Sequence, residues 1–282
     1  MRQVGLRRVT LDDVNMRRVF MDPVSINLGE QALLNNRFTS MTIGSELALD
    51  GDFSSAVNWD LGAGWSIDTG LGTMTHDGTA KSNATQSGFT AFQSLKTEIV
   101  TDSNAQTNNK ALVRETFLQN KWTLSNAPSA TDVNWECNAG TAPTIFSIRD
   151  TEENLSSRVF SSISIKPVTI DNWAEVGTRT ATEHMCFDDD NHVINIFSAG
   201  LAMGITQTIP NFVAGDWFYS VGIANDNAGS LKISTAADGD LAVIDNTGPH
   251  TGVISLTDAD IILQNNGACD VTPSYFNLYP VI

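Results

Sequence analysis

Apolar and polar residues alternate in short runs along most of this chain, and turns cut the runs. Val159–Val168 (V-F-S-S-I-S-I-K-P-V) is the clearest stretch, with the period-two rhythm of a half-buried strand. G-D-W-F-Y-S-V-G-I at 215–223 repeats the rhythm after a turn, and Val193–Phe197, Ser230–Ser234 and Ala259–Asn265 follow. Earlier in the chain, strands are expected at Glu46–Leu49, Gly64–Ile67, Gly72–Thr75, Gly88–Phe92 and Leu95–Val100. Thr101–Lys110 is polar without periodicity and reads as a loop. Helix signals are scarce: only Gly29–Arg37 suggests a helical turn or two. The pattern predicts an all-β, antiparallel fold preceded by an extended N-terminal arm. Composition shifts suggest an arm at 1–41, a first β-rich module at 42–112 and a second at 113–282, with 42–282 as a single body the alternative.

At 282 residues and 41% apolar content the chain can bury a sizeable core. No apolar run approaches the roughly 18 residues of a membrane helix, and the charged N-terminus lacks the apolar stretch of a signal peptide. These features predict a protein made in a cytoplasm, with no membrane partner. Charge is uneven. Six arginines against four acids give residues 1–41 a local +2, which leaves −18 of the total −16 in the rest. Such a body repels nucleic acid. In the arm, G-L-R-R-V-T and N-M-R-R-V-F form a quasi-repeat, with Asp22-Pro23 closing the segment. Arg7, Arg8, Arg17 and Arg18, with Val19 and Phe20, are the expected docking residues for a partner surface.

Candidate chemistry is sparse. Asp188-Asp189-Asp190-Asn191 offers hard oxygen ligands for Ca²⁺ without EF-hand spacing, and a solvated turn is the plainer reading. No other cofactor is implied. Cys137, Cys186 and Cys269 are widely spaced and read as free buried thiols. No acid ladder, nucleophile elbow or phosphate loop is present, so no catalytic residue is assigned. His76, His184, His192 and His250 read as structural. Among six tryptophans, Trp173 in a loop-like segment and then Trp135 beside Asn134 and Glu136 are the candidates to stack on a sugar.

Two resemblances add to this. Glu46–Thr75, with Asp-Gly-Asp-Phe-Ser-Ser followed by Trp59, Trp65 and the glycines between, resembles the opening of jelly-roll, glycan-binding-like modules in tailed-phage structural proteins. Downstream, W-T-L-S-N at 122–126, A-G-T-A-P at 139–143, H-V-I-N-I at 192–196 and G-D-W-F-Y-S-V at 215–221 are similar to concanavalin-like (laminin-G-type) jelly rolls of phage tail fibres and other virion proteins. The closing Ile261-Ile262-Leu263-Gln264 departs from their Trp-Gly strand. The resemblance implies antiparallel jelly-roll sandwiches in a non-enzymatic virion protein. Its station would be head fibre, capsid decoration or tail fibre. It would dock on capsid, portal or tail proteins through residues 1–41 and meet neighbouring subunits or host glycan. By analogy it implies a homotrimer. The alternative of the same fold is a glycan hydrolase.

Overall fold

The computed structural model describes residues 18–21, 24–80, 82–89, 93–104, 112–115, 121–125, 127, 129–138, 144–149, 157–180 and 182–282. For 18–21, 24–27, 93, 104, 112–115, 121–123, 136–138 and 144 only the backbone is described. The fold is all-β and antiparallel, with no helix among the described residues.

Three strands come first among the described residues. β1 (Arg18–Met21) and β2 (Val24–Asn27) form a hairpin, and β3 (Met41–Ile43) follows. Ten strands then build a first sandwich: β4 (Asp60–Leu61), β5 (Trp65–Asp68), β6 (Thr73–His76), β7 (Asn83–Phe89), β8 (Gln93–Asn104), β9 (Leu112–Glu115), β10 (Lys121–Thr123), β11 (Ala130–Asn138), β12 (Thr144–Arg149) and β13 (Arg158–Ile170). Ten more build a second: β14 (Ala174–Gly177), β15 (Glu183–Asp188), β16 (Val193–Ser198), β17 (Met203–Thr208), β18 (Gly215–Ala228), β19 (Leu231–Thr235), β20 (Gly239–Ile244), β21 (Gly248–Leu256), β22 (Asp260–Asn265) and β23 (Cys269–Pro280).

The two sandwiches are one topology used twice. The first packs sheet β10-β9-β12-β7-β4 on β11-β8-β13-β6-β5; the second packs β20-β19-β22-β17-β14 on β21-β18-β23-β16-β15. Adding ten to every strand number of the first gives the second. In both, the chain passes repeatedly between the two sheets, as in a jelly roll. Each sandwich has its own core, one around Phe53, Trp59, Met74, Phe146 and Phe160, the other around Phe38, Trp173, Phe187, Ile205 and Phe276.

The duplication extends to side chains in the straps that seal each final strand. Gly29 donates to Pro280 O at 2.8 Å, and Gly44 to Pro167 O at 2.8 Å. A Cβ on either glycine would meet the facing proline Cγ, at 2.5 and 2.7 Å. Gln31 Oε1 accepts from Leu33 N and Leu278 N; Glu46 Oε1 accepts from Ala48 N and Ile165 N. Buried Gln207 bonds both backbone groups of Leu34, and buried Gln86 bonds both of Leu49. Asn35 and Phe38 have φ of 49° and 55°; Asp50 and Phe53 have 53° and 56°. Trp173 Nε1 donates to Asn35 O, and Trp59 Nε1 to Asp50 O, each at 3.2 Å. The fully buried phenylalanines lie edge-on or tilted against those tryptophans, with centroids 6.0 and 5.9 Å apart.

The order of these straps in the chain reveals an insertion. The strap at 28–40 seals β23, the last strand of the second sandwich, while the strap at 44–55 seals β13 of the first. The first sandwich therefore sits inside the second one's sequence. Its entry and exit meet: β3 pairs with the end of β13, Met41 opposite Ile170 and Ile43 opposite Val168. Asp171 fastens the junction by accepting from Ser40 and Thr42 hydroxyls.

This revises the domain boundaries expected from sequence. The division falls at 170/171, because β8 pairs with both β11 and β13 across the expected boundary at 112. Leu28, Leu33 and Phe38 are buried, so the far end of the expected arm belongs to a core. Glu46–Leu49 is strap rather than strand. Cys186 is disulfide-bonded, which corrects its reading as a free thiol. Cys269 is free and buried, and burial first, then Asp270 and Glu183, pushes its thiol up to about 12.

Candidate functional site

Four of the described tryptophans, 59, 65, 173 and 217, are buried at 4–7% exposure. Trp173, expected to be exposed, is core: its ring stacks on Phe276 with centroids 6.1 Å apart and its Nε1 is spent on Asn35 O. Its loop-like sequence reflects the seam between the two sandwiches, where the second strand set begins. The residue borders a groove of about 430 Å³ lined by Asn172, Thr206, Gln207, Thr208 and Asp260, which offers polar groups but no open aromatic face. For Trp122 only the backbone is described.

Trp135 is different. It lies on β11, an edge strand, and is half-buried against the second sandwich's core. Its Nε1 donates to Asp190 Oδ2 at 2.7 Å, across 55 residues of sequence. Lys96, directly opposite on β8, holds its ammonium 5.3 Å from the indole centroid. Lys96 in turn lies 3.7 Å from Glu98. Val133, two residues before on the same face, is exposed. The two candidates that sequence reading placed apart, Trp135 and the acidic run, thus meet in one place. The signal that joins them is tertiary: β15 and its following turn pack across the outer face of the β8–β11 sheet.

Adjacent contacts hold this junction in shape. Ser94 Oγ donates to Met185 O at 2.9 Å. Arg179 donates to that same carbonyl at 2.8 Å, reaches Ser94 Oγ, pairs with Glu175 and lies over the Phe187 ring at 5.7 Å.

The acidic run, a candidate for Ca²⁺ by its oxygen ligands, does not gather into a cluster. Asp188 accepts from Asn191 N and Nδ2, at 3.0 and 2.7 Å, and so closes its own turn. Asp189 faces His192 at 3.9 Å, and Asp190 serves Trp135. Three carboxylates with three separate partners do not converge, and among the described residues no group of three or more acidic, histidine or cysteine ligands does. Of the docking residues, Arg7, Arg8 and Arg17 lie outside the described residues, and Arg18, Val19 and Phe20 form β1.

No family model matches the chain, and no characterised protein matches it by sequence. Among solved structures, it is similar to the tandem CBM22 domain of Paenibacillus barcinonensis Xyn10C (8% identity, 86% of this chain and 99% of that one, TM-score 0.34). It is also similar to the tandem CBM51 modules of a Streptococcus pneumoniae family 98 glycoside hydrolase (8%, 93% and 99%, TM-score 0.26). A third is a fucolectin from striped bass, Morone saxatilis, serum (7%, 90% and 99%, TM-score 0.26).

Proposed function

We propose that this is a non-enzymatic binding protein that holds glycan at the junction between its two sandwiches, with Trp135 as the stacking platform. The observation that carries this reading is that Trp135 alone among the described tryptophan side chains is not buried, and that it sits at a module junction with Asp190, Lys96 and Glu98 around it. Sugars pair an apolar ring face with hydroxyls, and a fixed indole bordered by a carboxylate and an ammonium matches both. The proposal extends to a seat on a virion, which rests on the sequence resemblance to tailed-phage structural proteins. Since residues 28–40 belong to the body, the docking segment on this reading is residues 1–27.

A shallow site of this kind binds at about millimolar to micromolar, and many copies on one particle raise that by about 10²–10⁴. The test is a glycan array probed with the multimerised protein. Trp135→Ala is expected to abolish the strongest signals without lowering Tm by more than a few degrees. Equal signals from the variant would sink the reading. A purely structural role as a decoration protein is favoured by one fact, that the indole N–H is already satisfied by Asp190 and the ring packed between modules. On that alternative Trp135→Ala costs stability and the array stays dark for the unaltered protein.

A further inference from the structure

The duplicated sheets present equivalent outer faces. In the first sandwich the cross-strand rows are Trp135–Lys96–Lys166, Val133–Glu98–Ser164 and Thr131–Val100–Ser162. In the second they are Val253–Phe218–Tyr279, Thr251–Ser220–Asn277 and Pro249–Gly222–Tyr275. The first face carries charge in two of its three rows; the second carries none.

Gly222 is what makes the last row unusual. A Cβ built there would lie 2.1, 2.6 and 2.7 Å from three ring atoms of Tyr275. The phenol therefore lies flat across strand β18 and points toward Pro249, on the strand beyond. One ring face rests on the glycine backbone, so the exposed part of this partly buried residue is the opposite face and its edge. Exposed Pro249 and Thr251 flank it, and Ser274 Oγ, bonded to Gly222 O, fixes the strand beneath.

We propose that Tyr275, seated on Gly222 and bordered by Pro249 and Thr251, is a second glycan subsite, selective for a neutral pyranose. This rests on the glycan-binding reading above but uses a different module and different residues. Three observations choose the occupant. A flat phenol with a proline and a hydroxyl at its rim matches a sugar ring, whose C–H face stacks while its edge hydrogen-bonds. The Tyr275 row and the one beside it carry no charged side chain on a protein of net charge −16, and the cation that acts on this face, Arg37, acts on Tyr279 two rows away, so an acidic sugar at Tyr275 meets mainly the field of the whole body. Finally, Phe218 and Ser220 are already buried at 5% and 4%, so the exposed apolar area is split between Tyr275 with Pro249 and Val253 with Tyr279. A split patch suits a small ring better than a protein partner.

The experiment is saturation-transfer NMR on the full chain with methyl glycosides of glucose, galactose, mannose, N-acetylglucosamine and glucuronic acid. Wild type is expected to transfer saturation to at least one neutral glycoside and not to the glucuronide. Tyr275→Ala should weaken that signal about 3–10-fold, Tyr275→Phe should keep it, and Gly222→Ala, which displaces the ring, should reproduce the loss. Thermal melts of each variant separate misfolding from loss of binding. Binding that vanishes in Trp135→Ala but is unchanged in Tyr275→Ala overturns the second subsite and leaves the junction site. Binding lost in Tyr275→Ala and retained in Trp135→Ala leaves the subsite and removes the junction site. Silence for every glycoside, or glucuronide binding in Trp135→Ala as strong as that of its neutral counterparts, overturns the subsite.

Discussion

At the scale of single residues, buried polar groups decide more than apolar ones. Gln86 and Gln207 each bridge a strap's donor and acceptor to a strand, and their equivalence shows that the bond is part of the design of the module. Gln207→Ala is expected to cost about 1–3 kcal/mol in urea melts, since it orphans the N–H and carbonyl of Leu34. His184 gives a pH signature. It is buried, stacked on Phe197 with centroids 4.8 Å apart, and burial, then Arg179, holds its pKa below 6.5. The unfolded chain then takes up the proton first, so stability falls as pH drops below about 6.5. Melts from pH 8 to 5 should show this slope, and His184→Phe should flatten it. Alkylation without reduction should leave Cys186 unlabelled and label it after reduction, whereas a free Cys186 would react at once on denaturation.

At the scale of elements, the straps separate what was legible in sequence from what was not. The period-two runs at 159–168 and 215–223 became β13 and β18 because alternation reports a half-buried strand directly. The straps have no such period. Their repeat, offset by 15 residues, keeps Gly29/Gly44, Leu34/Leu49, Phe38/Phe53 and Ser40/Ser55 and little else. Two of these pairs answer a tertiary demand: Gly29/Gly44 a close approach to a proline, and Phe38/Phe53 a buried ring at a left-handed turn, whereas Leu34 and Leu49 are exposed. Trp173 reads as an exposed loop residue for the same reason, since the phenylalanine that packs against it lies 135 positions earlier in the chain. Trp135 stands out as a candidate by residue type and neighbours, but its partner Asp190 shows in the sequence only as part of an acidic turn. Deleting residues 1–27 should therefore leave the melt nearly unchanged. Deleting 1–40 removes Leu33 and Phe38 from the core and uncovers β23, and should lower stability by at least the 3–5 kcal/mol of a lost core phenylalanine. Equal melts for the two truncations would contradict the strap assignment.

At the scale of the molecule, the two sandwiches are joined by a paired ribbon, and their contact face is pinned by Ser94, Arg179 and Trp135. Arg179→Ala removes bonds to Met185 O and Ser94 and uncovers the Phe187 ring. Calorimetry should then resolve two transitions where the unaltered chain shows one. A single unshifted transition would mean that the ribbon alone couples the modules. A chain with two faces on one rigid frame also fixes the spacing of any two bound sugars, so a branched or repeating glycan of matching span gains from both.

The nested order of the chain has a consequence for synthesis. A ribosome releases the strap at 28–40 first, then the whole inner sandwich, and only at the very end the strand that the strap must seal. Gln31 waits 246 residues for Asn277. At about 5–20 residues per second this is a delay of roughly 12–50 s. Throughout it, Leu33 and Phe38 have no core to enter, while residues 41–170 already contain every strand and strap of their own sandwich. The inner unit should thus be finished and stable while the outer one is still open. Pulse-labelling with limited proteolysis should catch a protected fragment near 41–170 before the full-length form appears.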